Sequence, residues 1–195
     1  MTQLGRFTGN VRDEVSYASD QYRQSAAGAP VTARANMRRL DAVADTGALT
    51  TQVMTSVALY LRKGDVVTSL TFRSGATAAG TPTNWWFALY SSAATPALLA
   101  QSADQTSTAW AANTNKTLAL ASPVTIKEDG VYWAAVMVKA TTVPSLVGVS
   151  TTASAAIVTG EKSLAQTSGS ALTTTAPATI ATPTAVATVP LVVAT

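Results

Sequence analysis

The chain has 195 residues, 47% hydrophobic, 6% aromatic and 12% charged, with a formal net charge of +3 and no cysteine or histidine. It is too apolar to be disordered throughout, and the missing residue types exclude disulfides, thiolate nucleophiles, Ser-His triads and most zinc sites. A charged fraction about half that of an ordinary soluble domain leaves solubility to Thr, Ser, Asn and Gln.

The charges are crowded at the start. Between residues 6 and 45 lie Arg6, Arg12, Arg23, Arg34, Arg38 and Arg39, interleaved with Asp13, Glu14, Asp20, Asp41 and Asp45. This near-balance is unlike a basic nucleic-acid stripe, so no nucleic-acid partner is expected. From residue 140 onward only Glu161 and Lys162 are charged. No signal peptide is expected, because the first residues lack a basic segment followed by an apolar one. No window approaches the length of a membrane span, so no membrane association is expected either.

In chain order, Asn10 is a good N-cap, Asp13 and Glu14 suit a first helical turn, and Val11, Val15, Ala18 and Tyr22 share one helical face. A short amphipathic helix is expected over residues 11–26. It is too short to stand alone, and its stripe docks either on its own domain or on a neighbouring subunit. Residues 29–46 read as an extended connector, so residues 1–48 form an attachment arm. Arg34, Arg38 and Arg39 in the connector are candidates to fork onto carboxylates of a neighbour.

From residue 49 the period changes to two. Residues 53–61 and 66–73 read as a hairpin around the turn at 62–65. Residues 84–90 are the most aromatic strand, with Trp86, Ala88 and Tyr90 on one face and Trp85, Phe87 and Leu89 on the other. Rings on both faces imply that the strand is covered on both sides or carries one face into an interface. Short strands are expected at 98–100, 117–120, 124–126, 146–150 and 155–159, and the strongest at 131–138. Pro123 marks an edge or bend. Residues 163–184, rich in Thr, Ala and Pro, read as an extended strap rather than packed structure. A final strand over 186–193 is confined to an edge by Pro190. Strands at roughly ten-residue spacing with turns between them, and no βαβ alternation, indicate a mainly β chain. The expected organisation is the arm, an antiparallel β-sandwich of jelly-roll type over residues 49–160, and a strap over 161–195.

The runs Trp85-Trp-Phe-Ala-Leu-Tyr-Ser91, Leu98-Leu-Ala-Gln101, Thr108-Ala-Trp-Ala-Ala-Asn113, Leu118-Ala-Leu-Ala-Ser-Pro-Val124 and Gly130-Val-Tyr-Trp-Ala-Ala-Val-Met-Val138, with Asp104, resemble a jelly-roll pattern in small virion proteins of actinobacterial tailed phages. These are minor tail, head-fibre or decoration proteins. The likeness covers about residues 53–148, and the first 45 residues match no such pattern. It implies a structural role on the virion, with major capsid or tail proteins as partners. By analogy it also implies a homo-oligomer, with a trimer favoured.

Chemistry is thinly represented. Glu128 and Asp129 are adjacent in a turn rather than placed across a cleft as glycoside hydrolysis requires. Asp104 sits with Gln105, Thr106 and Ser107, where an Asx-turn is set against a calcium or sugar contact. Trp110, the only loop tryptophan, is the candidate to stack on a glycan, against the reading that aromatics are mostly core. No activated nucleophile, cofactor or metal site is expected, and hence no enzyme. The expectation is a virion protein whose arm attaches through Val11, Val15, Tyr22, Arg34, Arg38 and Arg39. The alternative is a glycan-binding host-adsorption module using Trp110 and Asp104.

Overall fold

The structure, a computed structural model, describes residues 33–195. The helix expected over residues 11–26, with Val11, Val15 and Tyr22, lies outside the described residues. In order the described strands are β1 (Arg34–Ala35), β2 (Ala44–Ala48), β3 (Met54–Leu61), β4 (Val66–Arg73), β5 (Asn84–Tyr90), β6 (Leu98–Gln101) and β7 (Asn115–Thr125). They continue with β8 (Gly130–Lys139), β9 (Ser145–Ser150), β10 (Ala165–Ser168), β11 (Thr184–Ala185), β12 (Thr188–Pro190) and β13 (Val192–Ala194). The described chain is mainly β, and its antiparallel sheets form a sandwich.

One layer is a six-stranded sheet in the order β11-β10-β3-β8-β5-β6. The other is made of two smaller sheets, β1-β13-β4-β7 and β12-β9-β2. These two are joined where Ser74 bridges Leu146 and where the Gly75 N–H donates to the Ser145 carbonyl at 2.8 Å. A further bridge, Ser102 to Leu120, ties the β6 edge to β7 and closes one side of the sandwich.

The inner core follows from the alternation of the strands. β5 sends Trp85, Phe87 and Leu89 inward, and β8 sends Ala134, Val136 and Val138. β4 shows why simple alternation is insufficient. Its register against β7 shifts between Val67 and Ser69, so the inward residues are Val67 and then Leu70 and Phe72. The same irregularity lets β7 run through Pro123 as one strand, where two short ones were expected.

Residues 155–159, expected as a strand, form a loop. Glu161 Oε2 accepts the N–H groups of Ile157 at 2.9 Å and Val158 at 3.4 Å, taking donors that a ladder would need. The Leu164 N–H closes the loop onto the Ser154 carbonyl at 2.7 Å. Lys162 Nζ anchors it to the sheet by donating to the carbonyls of Ser92, Val131 and Ala93. Burial lowers the Lys162 pKa.

The expectation of an unpacked strap is also corrected. Residues 165–168 join the six-stranded sheet as β10, and residues 172–180 lie across the outer face of that same sheet. Trp86 Nε1 donates to the Thr173 carbonyl at 2.7 Å and the Tyr90 hydroxyl to the Pro177 carbonyl at 2.8 Å. Ala176 and Ile180 become buried against Met54, Trp86, Trp133 and Met137 in a second core. β5 is therefore covered on both faces by its own chain. Burial pushes the Tyr90 hydroxyl far above its ordinary pKa, which keeps it a donor. β10 to β13 all belong to the two layers, so residues 161–195 are integral to the sandwich.

Candidate functional site: the arm root

The described part of the connector expected at residues 29–46 is not a free extended link: β1 and β2 pair with β13 and β9, so residues 34–48 belong to the sandwich, and the side chains between them fix the loop that joins the two strands. β1 pairs with β13 through Arg34 opposite Ala194 and Ala35 opposite Val193. Arg34 reaches over the turn between β3 and β4, where Nε and Nη2 each donate to an oxygen of Asp65 at 2.8 Å. Asp65 is 7% exposed and also accepts the Arg62 N–H at 2.9 Å. Burial alone raises the Asp65 pKa, but the hydrogen bonds from Arg34 and from the Arg62 backbone, with both cations, outweigh it and hold the carboxyl below its ordinary range. The hydrogen bond to Asp65 raises the Arg34 pKa in turn.

Asn36 adds a second fastening. Its side-chain Nδ2 donates to the Pro190 carbonyl at 2.8 Å, while Oδ1 accepts the Val192 N–H at 2.9 Å. The amide thus spans Leu191, where β12 gives way to β13. Pro190 has no N–H to give a ladder, and β12 lies at a sheet edge, as the proline requires.

Beyond Asn36 the chain turns outward. Arg38 forks onto Asp41 at 2.9 Å in an exposed pair three residues apart, which shapes the turn. Arg39 is exposed, Leu40 is 54% exposed and Val43 is 77% exposed. A mixed cationic and apolar surface is thereby presented on the loop between β1 and β2. The chain then returns as β2, where Asp45 Oδ2 accepts the Ala76 N–H and the Ser145 hydroxyl, each at 2.7 Å. Desolvation opposes the ionisation of Asp45, and these hydrogen bonds overcome it to lower its pKa. Ala42, Val43, Ala76 and Val147 line a shallow groove of about 270 Å³ with Asp45 at its edge. Gly75 sits against the Asp45 carboxylate so closely that a Cβ there would collide with it.

The candidate arm residues thus have different positions. Arg34 is committed to the body and Arg38 to its own turn, whereas Arg39 faces outward. Leu40 and Val43 escaped the sequence reading, because two apolar residues in an aperiodic connector carry no phase.

Of the two glycan candidates, Trp110 is corrected by burial. Trp110 is 0% exposed, stacked on Trp85 with ring centroids 5.0 Å apart and edge-on to Phe87 at 5.6 Å. It offers no ring face to a sugar, because the loop carrying it folds back into the core. Asp104 performs local work: Oδ1 accepts the Trp85 N–H at 2.9 Å and Oδ2 accepts Asn84 Nδ2 at 2.8 Å, fixing the start of β5. Asp129 Oδ1 accepts the Lys63 N–H at 2.8 Å, a turn-to-turn bond. Among the described residues no three acidic side chains gather as a cation site. No protein-family model matches the chain, and no curated protein sequence matches it.

Proposed function

We propose that the chain is a non-enzymatic structural protein of a bacteriophage virion, a capsid decoration, head-fibre or minor tail subunit attached through its N-terminal arm, and that its body is a jelly roll. Strand order supports the reading of the body. β3-β8-β5-β6 form one set, and β2-β9 and β4-β7 form the other, with β9 meeting β4 at the Ser74–Leu146 bridge. Counted from β2 to β9, the second, seventh, fourth and fifth strands face the first, eighth, third and sixth. That order is the one two interleaved Greek keys would give, and it supports reading the body as a jelly roll, an architecture used by viral capsid and lectin domains.

Architecture alone does not assign a role. The observation that carries the functional reading is the arm root: the ion pair of Arg34 with Asp65 and the Asn36 clasp hold it to the body, and the next turn presents Arg39, Leu40 and Val43. A loop fastened to the body at both ends and carrying an exposed mixed surface, next to where the arm joins the body, suits a subunit that must project from a platform at a fixed angle. Copies self-associate, with a trimer suiting both fibres and three-fold capsid positions. The test is particle incorporation of a full chain carrying Arg39→Glu, Leu40→Ser and Val43→Ser. The reading predicts that this folded variant is lost from particles, and incorporation equal to the parent would overturn it.

A further inference from the structure

The seat that holds the strap recognises backbone. Besides the bonds from Trp86 and Tyr90, Gln101 Nε2 donates to the Thr174 carbonyl at 2.8 Å and Gln101 Oε1 accepts the Ala176 N–H at 2.6 Å. The Leu98 N–H donates to the Ala178 carbonyl at 2.9 Å, and Ala97 bridges Thr179. Of the strap's own side chains, Leu172, Ala176 and Ile180 pack against the sheet. The segment ends by adding β11 to β10, with Thr184 opposite Thr167 and Ala185 opposite Gln166. Extended backbone laid on a sheet face and continued as an added edge strand is a recognition mode that works equally between chains.

The connection leading into this segment is short and strained. β10 ends at Ser168, which is 7% exposed and whose Oγ is buried without a hydrogen-bond partner. Gly169 follows at φ 74, and Ala171 at φ 53, a left-handed conformation that an alanine adopts at a cost. By Leu172 the chain is already fastened, its N–H donating to the Gln52 carbonyl at 3.0 Å. Three residues therefore make the reversal that places the strap on its own sheet. Short hinge loops under strain favour domain exchange, because a chain that runs on to a neighbour need not make the reversal. The segment that would move is suited to the transfer, since residues 170–195 include no charged side chain and docking them elsewhere strips no ion of water.

We propose that residues 170–195 are exchanged between copies of this chain, so that the strap, β11, β12 and β13 of one copy fill the seat of a second, with residues 169–171 as the hinge. The exchanged and closed forms share every contact outside the hinge, and the hinge strain tips the balance toward exchange at high local concentration. The proposal concerns association between copies and stands apart from where the assembly is mounted.

The chain has no cysteine, so thiol chemistry tests this without background. Ala97→Cys and Thr179→Cys are placed on separate full-length chains carrying different tags and co-expressed, so that a disulfide between them forms only in trans. The double variant on one chain is the control for geometry. Exchange predicts a covalent heterodimer on non-reducing gels. It also predicts a several-fold loss of that product when Gly-Ser-Gly-Ser is inserted after Gly169, which lets each strap reach its own sheet. A disulfide that forms only within the double-variant chain would overturn the proposal, and so would a parent chain that light scattering finds monomeric at every concentration.

Discussion

Arg34 and Asp65 meet in a two-pronged ion pair across 31 residues of sequence, each prong 2.8 Å long. The pair joins the arm root to the turn between β3 and β4, a part of the body that β1 does not pair with. Removing the guanidinium takes two hydrogen bonds from a carboxylate that is 7% exposed in the parent and leaves it the Arg62 N–H and the nearby Arg62 charge. Arg34→Ala is expected to destabilise the fold by about 2 kcal/mol, discounted from a fully buried pair because the arginine is partly exposed. Urea denaturation would record this as a lower midpoint with an unchanged slope.

The same pair sets a pH dependence. The folded Asp65 pKa lies below its ordinary value of 3.8. Its contribution is therefore complete above about 3.8 and is lost as the pH falls through the lower folded value. The stability gap between the parent and Arg34→Ala is expected to hold from neutrality to mild acid and to close only below that value. A gap that closed near pH 6 would point to another group.

Trp110 gives a prediction that separates core from ligand contact. Because it is fully buried against Trp85 and Phe87, Trp110→Ala is expected to cost about 3–5 kcal/mol of stability. For a chain of this size, that is a fall in Tm on the order of 10 °C. Calorimetry reads this directly, and a variant with unchanged Tm would contradict the placement of the ring.

Two tryptophans of the outer face differ in one hydrogen bond. Trp86 Nε1 donates to the Thr173 carbonyl, whereas Trp133 Nε1 is buried with no partner among the described residues. Trp86→Phe should therefore cost about 1 kcal/mol more than Trp133→Phe, since only the first leaves a strap carbonyl unpaired. Equal losses in parallel denaturation curves would count against the strap's position.

Gly148 lies where β9 passes β12, and a Cβ there would run into the Val189 carbonyl and the Pro190 Cα. Both obstacles are backbone and neither has a flexible end to move aside. Gly148→Ala is expected to cost about 2 kcal/mol, with the loss seen as faster amide exchange in β9 and β12. Unaltered exchange would mean that the two strands are further apart.

The positions of β4 and β5 were legible because β-branched and aromatic runs are bounded by the turn at residues 62–65 and the Gly/Ala/Thr loop that follows β4, although the register shift in β4 and the burial of both faces of β5 depend on their partners. What was not legible depends on partners distant in sequence. β1 and β2 are short and weakly patterned, and they exist because β13 and β9 supply edges about 100 residues away or more. β10 and the buried Ala176 and Ile180 sit in a Thr/Ala/Pro-rich stretch whose composition reads as unpacked. β10 is held by pairing with β3, more than 100 residues earlier, and the strap around Ala176 and Ile180 by side-chain donors on β5 and β6 that no local window contains. Trp110 was read from its loop, but a loop residue that folds inward carries no sequence mark of burial. Between residues 34 and 39 the arginines were visible as charges, yet only the position of Asp65 separates Arg34, which fastens β1 to the turn between β3 and β4, from Arg39, which faces away.

The measurement that bears most directly on the central claim is the amount of this chain in particles purified from the source that encodes it, by quantitative mass spectrometry against the major shell protein. The account predicts that the full chain co-purifies at a fixed ratio through successive density gradients, with many copies for decoration and few for a tail or fibre position. A chain recovered only in the soluble fraction, absent from intact particles, would contradict it.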